Sequence, residues 1–220
     1  MKTLVNRYDK RSINALPTVQ FDGRIVVVQS EGEARKAVDF LLKHRILGMD
    51  TETRPVFSKG HGMNPVALLQ ISTHKVCFLF RLNMIGVTDD ILRLLCSTDI
   101  TIVGLSLKDD FLQLRRRRDF EPAKYVELQT IAKEFGIVDM SLQKLYANLY
   151  HRKISKSQQL SNWEAGVLTE PQKRYAATDA WACVQLYDEF MRLDKYGYAI
   201  DMLPDPNFIV QNEQIQQNLS

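Results

Sequence analysis

Ile46-Leu47-Gly48-Met49-Asp50-Thr51-Glu52-Thr53 is the stretch that decides how this chain is read. Its apolar first half reads as a buried strand. Side chains alternate along a strand, so Asp50 and Glu52 share one face while Met49 and Thr51 point to the other. Two carboxylates on one face, at the end of an apolar strand, are poor core material. Burying unpaired charge is costly or forces a pKa shift. A divalent cation removes that cost, and carboxylate oxygens with water suit Mg²⁺ or Mn²⁺. A strand that simply ends at the surface, with both acids in solvent, explains the pair equally well. The rest of the chain has to decide.

The chain has 220 residues, 45% hydrophobic and 25% charged, which is ordinary globular composition with enough apolar material for a core. A net charge of +3 permits a polyanionic partner without arguing for one. Cys77, Cys96 and Cys183 are widely spaced with no CxxC pair, and read as reduced, buried thiols. The N-terminus carries charge but no apolar run behind it, so no signal peptide is expected. No apolar stretch is long enough to span a bilayer. The expected localisation is cytoplasmic, with no membrane association.

Upstream of the acidic strand, residues 1–23 are polar and read as an irregular N-terminal extension. Arg24 to Gln29 is a β-branched strand, followed by a Ser30/Glu33 capping box and a one-sided helix carrying Ala34, Ala37, Val38 and Leu41. Downstream, residues 54–65 are loop, with basic groups placed to reach whatever binds at the strand end. Val66–Ser72 and Val76–Phe80 form a hairpin. Gln70 lies inside it, as a core amide or a substrate contact. A short helix covers Thr88–Cys96, and Ile100–Leu107 is a strand whose Gly104 permits close backbone approach.

That strand runs into Lys108-Asp109-Asp110-Phe111, where acids at a helix N-terminus are favoured without any metal. Four consecutive arginines, Arg115 to Arg118, cannot all face one ligand and suit a solvated helix end. Tyr125–Leu128 is a short strand, followed by a helix ending at Gly136, and Leu142, Leu145, Tyr146 and Leu149 mark another helix. Lys153 to Gln158 is basic and suits an exposed loop or phosphate contacts. Trp163 suits a core anchor or a base-stacking platform.

The last long helix opens on a Thr169/Gln172 capping box with Pro171 in its first turn. Tyr175 and Asp179, four apart, lie on one face. Asp179 in so apolar a run is equally a partner for an arginine or a metal ligand. Residues 194–220 end in a Gln/Asn-rich segment and read as a loosely held tail.

Three stretches in order carry a family likeness. They are Met49-Asp50-Thr51-Glu52 with Val66-Ala67-Leu68-Leu69-Gln70-Ile71, Gly104-Leu105-Ser106-Leu107-Lys108-Asp109-Asp110, and Ser161-Asn162-Trp163 leading to Tyr175-Ala176-Ala177-Thr178-Asp179-Ala180. The sequence resembles the DEDDy branch of the DnaQ-like 3′-to-5′ exonucleases, nearest to ribonuclease D and the Werner-type exonuclease domain, over residues 24–193. The resemblance implies an α/β ribonuclease H-like fold, with a central mixed sheet of five or six strands flanked by helices. It implies two divalent ions, Mg²⁺ or Mn²⁺, held by Asp50, Glu52, Asp110 and Asp179. Asp110 is preferred over Asp109 because the family's acid directly precedes an apolar helical residue, here Phe111. Asp50 would bridge both ions, and Tyr175 would orient the attacking water. Two metals about 4 Å apart stabilise both the attacking and the leaving oxygen of a phosphodiester.

The implied activity is removal of nucleoside 5′-monophosphates from a DNA or RNA 3′ end, with Thr51, Gln70, Lys153, Asn162 and Trp163 as candidate substrate contacts. A ribonuclease H-like endonuclease and a non-catalytic nucleic-acid-binding module are the competing readings. Tyr175 four before Asp179 argues against the first. The clustered acids argue against the second, since phosphate binding gains nothing from them.

Overall fold

The structure, a computed structural model, describes residues 2–56 and 64–203. Of the expected loop, residues 57–63 lie outside the described residues, as do residues 204–220 of the expected tail. The central sheet has six strands: β3 (Arg24–Val28), β4 (Ile46–Thr53), β5 (Val66–Ser72), β6 (Val76–Arg81), β7 (Thr101–Gly104) and β8 (Tyr125–Glu127). Their spatial order is β3-β6-β5-β4-β7-β8. β4, β5 and β6 are antiparallel neighbours, while β3 joins β6, and β7 joins β4 and β8, in parallel. The sheet is therefore mixed, as the resemblance implies.

Alternation along β4 assigns its two faces to two helical layers. Leu47 and Met49 enter a core with α2 (Glu31–Leu41), α4 (Asp89–Leu95) and α5 (Leu107–Arg115). Gly48 faces the other way, onto α8 (Glu170–Tyr196). A Cβ at Gly48 would stand 1.9 Å from the Ala180 carbonyl oxygen, so the missing side chain lets α8 lie directly on β4. On the same side α6 (Leu128–Glu134) and α7 (Leu142–Tyr150) complete a second core with α8. Both predicted capping boxes form, at Ser30/Glu33 and at Thr169/Gln172. The expected hairpin is β5–β6.

Within the expected irregular extension of residues 1–23, residues 2–23 are more ordered than their composition suggests. Strand β1 (Lys2–Val5) pairs in parallel with β10 (Tyr198–Asp201), which follows α8. Helix α1 (Lys10–Ala15) and strand β2 (Thr18–Val19) follow, β2 pairing with β9 (Lys153–Ile154). Leu4, Ile13, Val19 and Phe21 are buried, which explains the order: Leu4, Val19 and Phe21 drop apolar side chains into cores formed with distant residues. Asn148, itself buried, ties β1 to α7 by accepting from the Val5 N–H at 3.0 Å and donating to the Val5 carbonyl at 2.7 Å. Of the three thiols expected to be buried, Cys77 and Cys183 are, and Cys96 is exposed.

Candidate active site

The acids meet at the C-terminal end of β4. Asp50 and Glu52 project from β4 on the α8 side, and Asp179 arrives from α8. Carboxylate oxygens of these three lie within 4.8 Å of one another. A register shift against β5 falls between Glu52 and Thr53, and such irregularities re-aim side chains next to sites. Asp110 comes from the other layer, in the first turn of α5. Thr51 Oγ1 donates to Asp110 Oδ1, so the residue between the two β4 acids holds the fourth one. Asp109 is exposed, whereas Asp110 is partly buried and feels the charges of Asp50 and Glu127.

Burial, first, and mutual repulsion, second, raise the pKa of Asp50, Glu52 and Asp110 well above the usual carboxylate range. Burial raises Asp179 too, offset in part by the Tyr175 hydroxyl and the Lys156 charge. Among the described residues no salt bridge reaches any of the four. An all-oxygen donor set, convergent and largely buried, with no ion pair among the described residues, fits hard divalent cations such as Mg²⁺ or Mn²⁺. Tyr175 lies one helical turn before Asp179, and burial with the nearby Asp179, Glu52 and Asp50 charges pushes its pKa far up. The phenol therefore stays protonated and is a donor rather than a general base.

A cleft of about 340 Å³ opens over Asp50, Glu52, Tyr175 and Asp179. The same cleft is lined by Ser106, Gln129, Gln143, Lys156 and Gln159, mostly uncharged hydrogen-bonding groups. Glu127 was not foreseen. Its Oε1 accepts from the Lys108 N–H at 2.9 Å and so caps α5 beside Asp110. Nothing in sequence marks it, because it acts from β8 across a strand boundary.

The other candidate residues are placed differently from one another. Thr51 is committed to Asp110. Gln70 and Trp163 are fully buried, and neither lines the cleft. Gln70 stands opposite Asp50 in the β4–β5 ladder, and Trp163 packs against the Tyr175 ring with centroids 5.9 Å apart. Asn162 is exposed, its Oδ1 accepting from the Glu164 N–H at 3.1 Å. Lys153 is in β9, its ammonium donating to the Asn14 carbonyl at 2.6 Å, while the neighbouring Lys156 lines the cleft. The arginine run is occupied internally: Arg115 pairs with Asp119 and Glu121, Arg116 with Gln113, Arg117 with the Val66 carbonyl, and Arg118 with Asp89.

The chain matches the family model described as 3′-5′ exonuclease across residues 25–193. It belongs to that 3′-5′ exonuclease family. It is 33% identical over 152 residues to exonuclease 3′-5′ domain-containing protein 2 of Drosophila melanogaster, covering 67% of this chain and 26% of that protein. It is 28% identical over 188 residues to a bifunctional 3′-5′ exonuclease/ATP-dependent helicase of Mus musculus, covering 81% of this chain and 13% of that one. The chain thus spans about a quarter of the first relative and about an eighth of the second. In fold it is similar to the EXO domain of Aedes aegypti Nibbler, with a TM-score of 0.73 at 19% identity, covering 89% of this chain and 98% of that one.

Proposed function

We propose that this domain hydrolyses phosphodiester bonds one nucleotide at a time from the 3′ end of DNA or RNA, releasing nucleoside 5′-monophosphates. The observation that carries the reading is the convergence of Asp50, Glu52 and Asp179 oxygens within 4.8 Å, with Asp110 and Tyr175 alongside. Asp50, Glu52, Asp110 and Asp179 would hold two divalent ions, Mg²⁺ or Mn²⁺. When bound, such ions lower the pKa of water and offset charge on the attacking and leaving oxygens.

The remaining work falls to the chain's own groups. The cleft floor positions the terminal phosphodiester against the acids. Tyr175, kept protonated, orients the attacking water for in-line approach. The new bond joins the water oxygen to phosphorus. The bond from phosphorus to the preceding 3′ oxygen breaks, and that oxygen leaves with a proton as a 3′-hydroxyl. The uncharged wall of Ser106, Gln129, Gln143 and Gln159 accepts sugar and base through hydrogen bonds. Lys156, close enough to lower the Asp179 pKa, supplies a cation near the phosphate.

The test is digestion of matched 3′- and 5′-labelled oligonucleotides, DNA and RNA, with and without Mn²⁺. The reading expects mononucleotides from the 3′ end only, dependent on metal. Mononucleotides released from the 5′ end, or internal cuts in a circular substrate, would refute it.

A further inference from the structure

Arg81 ends β6 as a fully buried guanidinium. Its register partner is Leu68, which in turn stands opposite Glu52, so Arg81 faces the same side of the sheet as the acids. Two strand spacings, roughly 10 Å, separate its backbone from that of Glu52. Its Nη2 donates to the Ala165 carbonyl, while Nε and Nη1 have no hydrogen-bond partner among the described residues. A buried cation is an expensive way to make one hydrogen bond. Its position therefore has to serve something other than core packing.

The loop it grips connects directly to the candidate catalytic tyrosine. Residues 162–166 are tied down along their length. Gln172 Nε2 donates to the Asn162 carbonyl at 3.2 Å, Asn83 Nδ2 to the Glu164 carbonyl at 3.4 Å, and Arg54 Nη1 pairs with Glu164 Oε2 at 3.3 Å. Within that loop only Trp163 is driven into the core, among Phe21, Leu68 and Leu79. Its ring lies against Tyr175. We propose that Arg81 is a positioning residue for Tyr175, acting through the 162–166 loop and the Trp163 ring. Arg81 fixes the loop, the loop fixes Trp163, and Trp163 closes off one side of the space in which the phenol ring can turn.

This inference rests on the proposed role of Tyr175 in hydrolysis, and a double-mutant cycle separates the two. Arg81→Met, Arg81→Lys, Tyr175→Phe and the Arg81→Met/Tyr175→Phe double variant are assayed on a 3′-labelled single-stranded oligonucleotide with Mn²⁺. Arg81→Met is expected to lower kcat about tenfold while leaving KM and the Mn²⁺ dependence unchanged. Arg81→Lys, which keeps a donor for Ala165, is expected to recover part of that loss. In the Tyr175→Phe background Arg81→Met is expected to cost less than about twofold, because the group it positions is gone. Equal losses in both backgrounds, or wild-type kcat in a folded Arg81→Met protein, would overturn the proposal. Should Arg81→Met fail to fold, Asn83→Ala releases the same loop and enters the same cycle with the same criteria. Full activity in Tyr175→Phe alone would instead refute the role of the tyrosine, and this proposal with it.

Discussion

At the scale of single residues, the candidate site is a cluster of charges the fold does not neutralise, and that gives its pH behaviour a sign. In the folded chain without metal Asp179 is raised to about 7, Asp50 and Asp110 to about 8, and Glu52 to about 10, from ordinary values of 3.8 and 4.5. Groups raised in the folded state contribute stability that is complete below the unfolded values and is lost as pH rises through the folded ones. The melting temperature of the metal-free protein is therefore expected to fall between about pH 5 and pH 9. Mn²⁺ is expected to restore it more at the alkaline end, since binding displaces protons. Melts in EDTA and in Mn²⁺ at both pH values check this, and a metal-free protein insensitive to pH would contradict it. Asp50→Asn removes one repelling charge. It is expected to abolish hydrolysis while leaving the metal-free protein at pH 8 at least as stable as the wild type, as read by thermal melting. Tyr175→Phe is expected to lower kcat about 100-fold with KM little changed, the scale of a lost orienting contact.

This scale was partly legible. Strand alternation alone puts Asp50 and Glu52 on one face, and helical spacing puts Tyr175 beside Asp179. The grip of Thr51 on Asp110 was not legible, because it joins two layers at a strand end. Nor was the burial of Gln70 and Trp163, which depends on what α8 and residues 162–166 cover.

Among elements, the close contact of β4 with α8 brings Asp179 to Asp50. Gly48 permits it, with only 1.9 Å between a notional Cβ and the Ala180 carbonyl. Gly48→Ala is expected to destabilise the protein by about 3 kcal/mol, the upper end for an overpacked core, and to weaken Mn²⁺ binding by moving α8 off the strand. Denaturant unfolding and calorimetric metal titration read the two effects, and a substitution that leaves both unchanged would contradict the account. Periodicity marked β3, α2, β4, the β5–β6 hairpin and α8, because each carries a long enough apolar pattern. The arginine run shows the limit of such patterns. Four cations in a row read as a solvated helix end, yet Arg117 and Arg118 reach a carbonyl and an acid brought near only by folding, while Arg115 pairs with the nearby Asp119 and Glu121.

Across the described residues as a whole, the first strand is bound to α8 and to the strand that follows it. Lys2 pairs with Glu189 of α8, whose carboxylate also accepts from Arg192 at 2.7 and 2.8 Å and is held down to about 2. Glu189→Gln is expected to cost about 1.5 kcal/mol in denaturant unfolding, the worth of a hydrogen bond to a charged group. It should leave kcat unchanged, since the pair lies far along α8 from Asp179. Composition hid this arrangement. Lys2–Val5 is too short to carry a pattern, and its partner Tyr198–Asp201 lies at the far end of the sequence.

The central claim is that acids drawn from β4, α5 and α8 form one metal-dependent hydrolytic centre acting on a 3′ end. Its most direct measurement is the product ladder from a 5′-labelled oligonucleotide incubated with Mn²⁺, with EDTA, and with Mn²⁺ plus the Asp179→Asn protein. Stepwise shortening from the 3′ end is expected with wild type and Mn²⁺ alone. The same ladder in EDTA, or from Asp179→Asn, would contradict it.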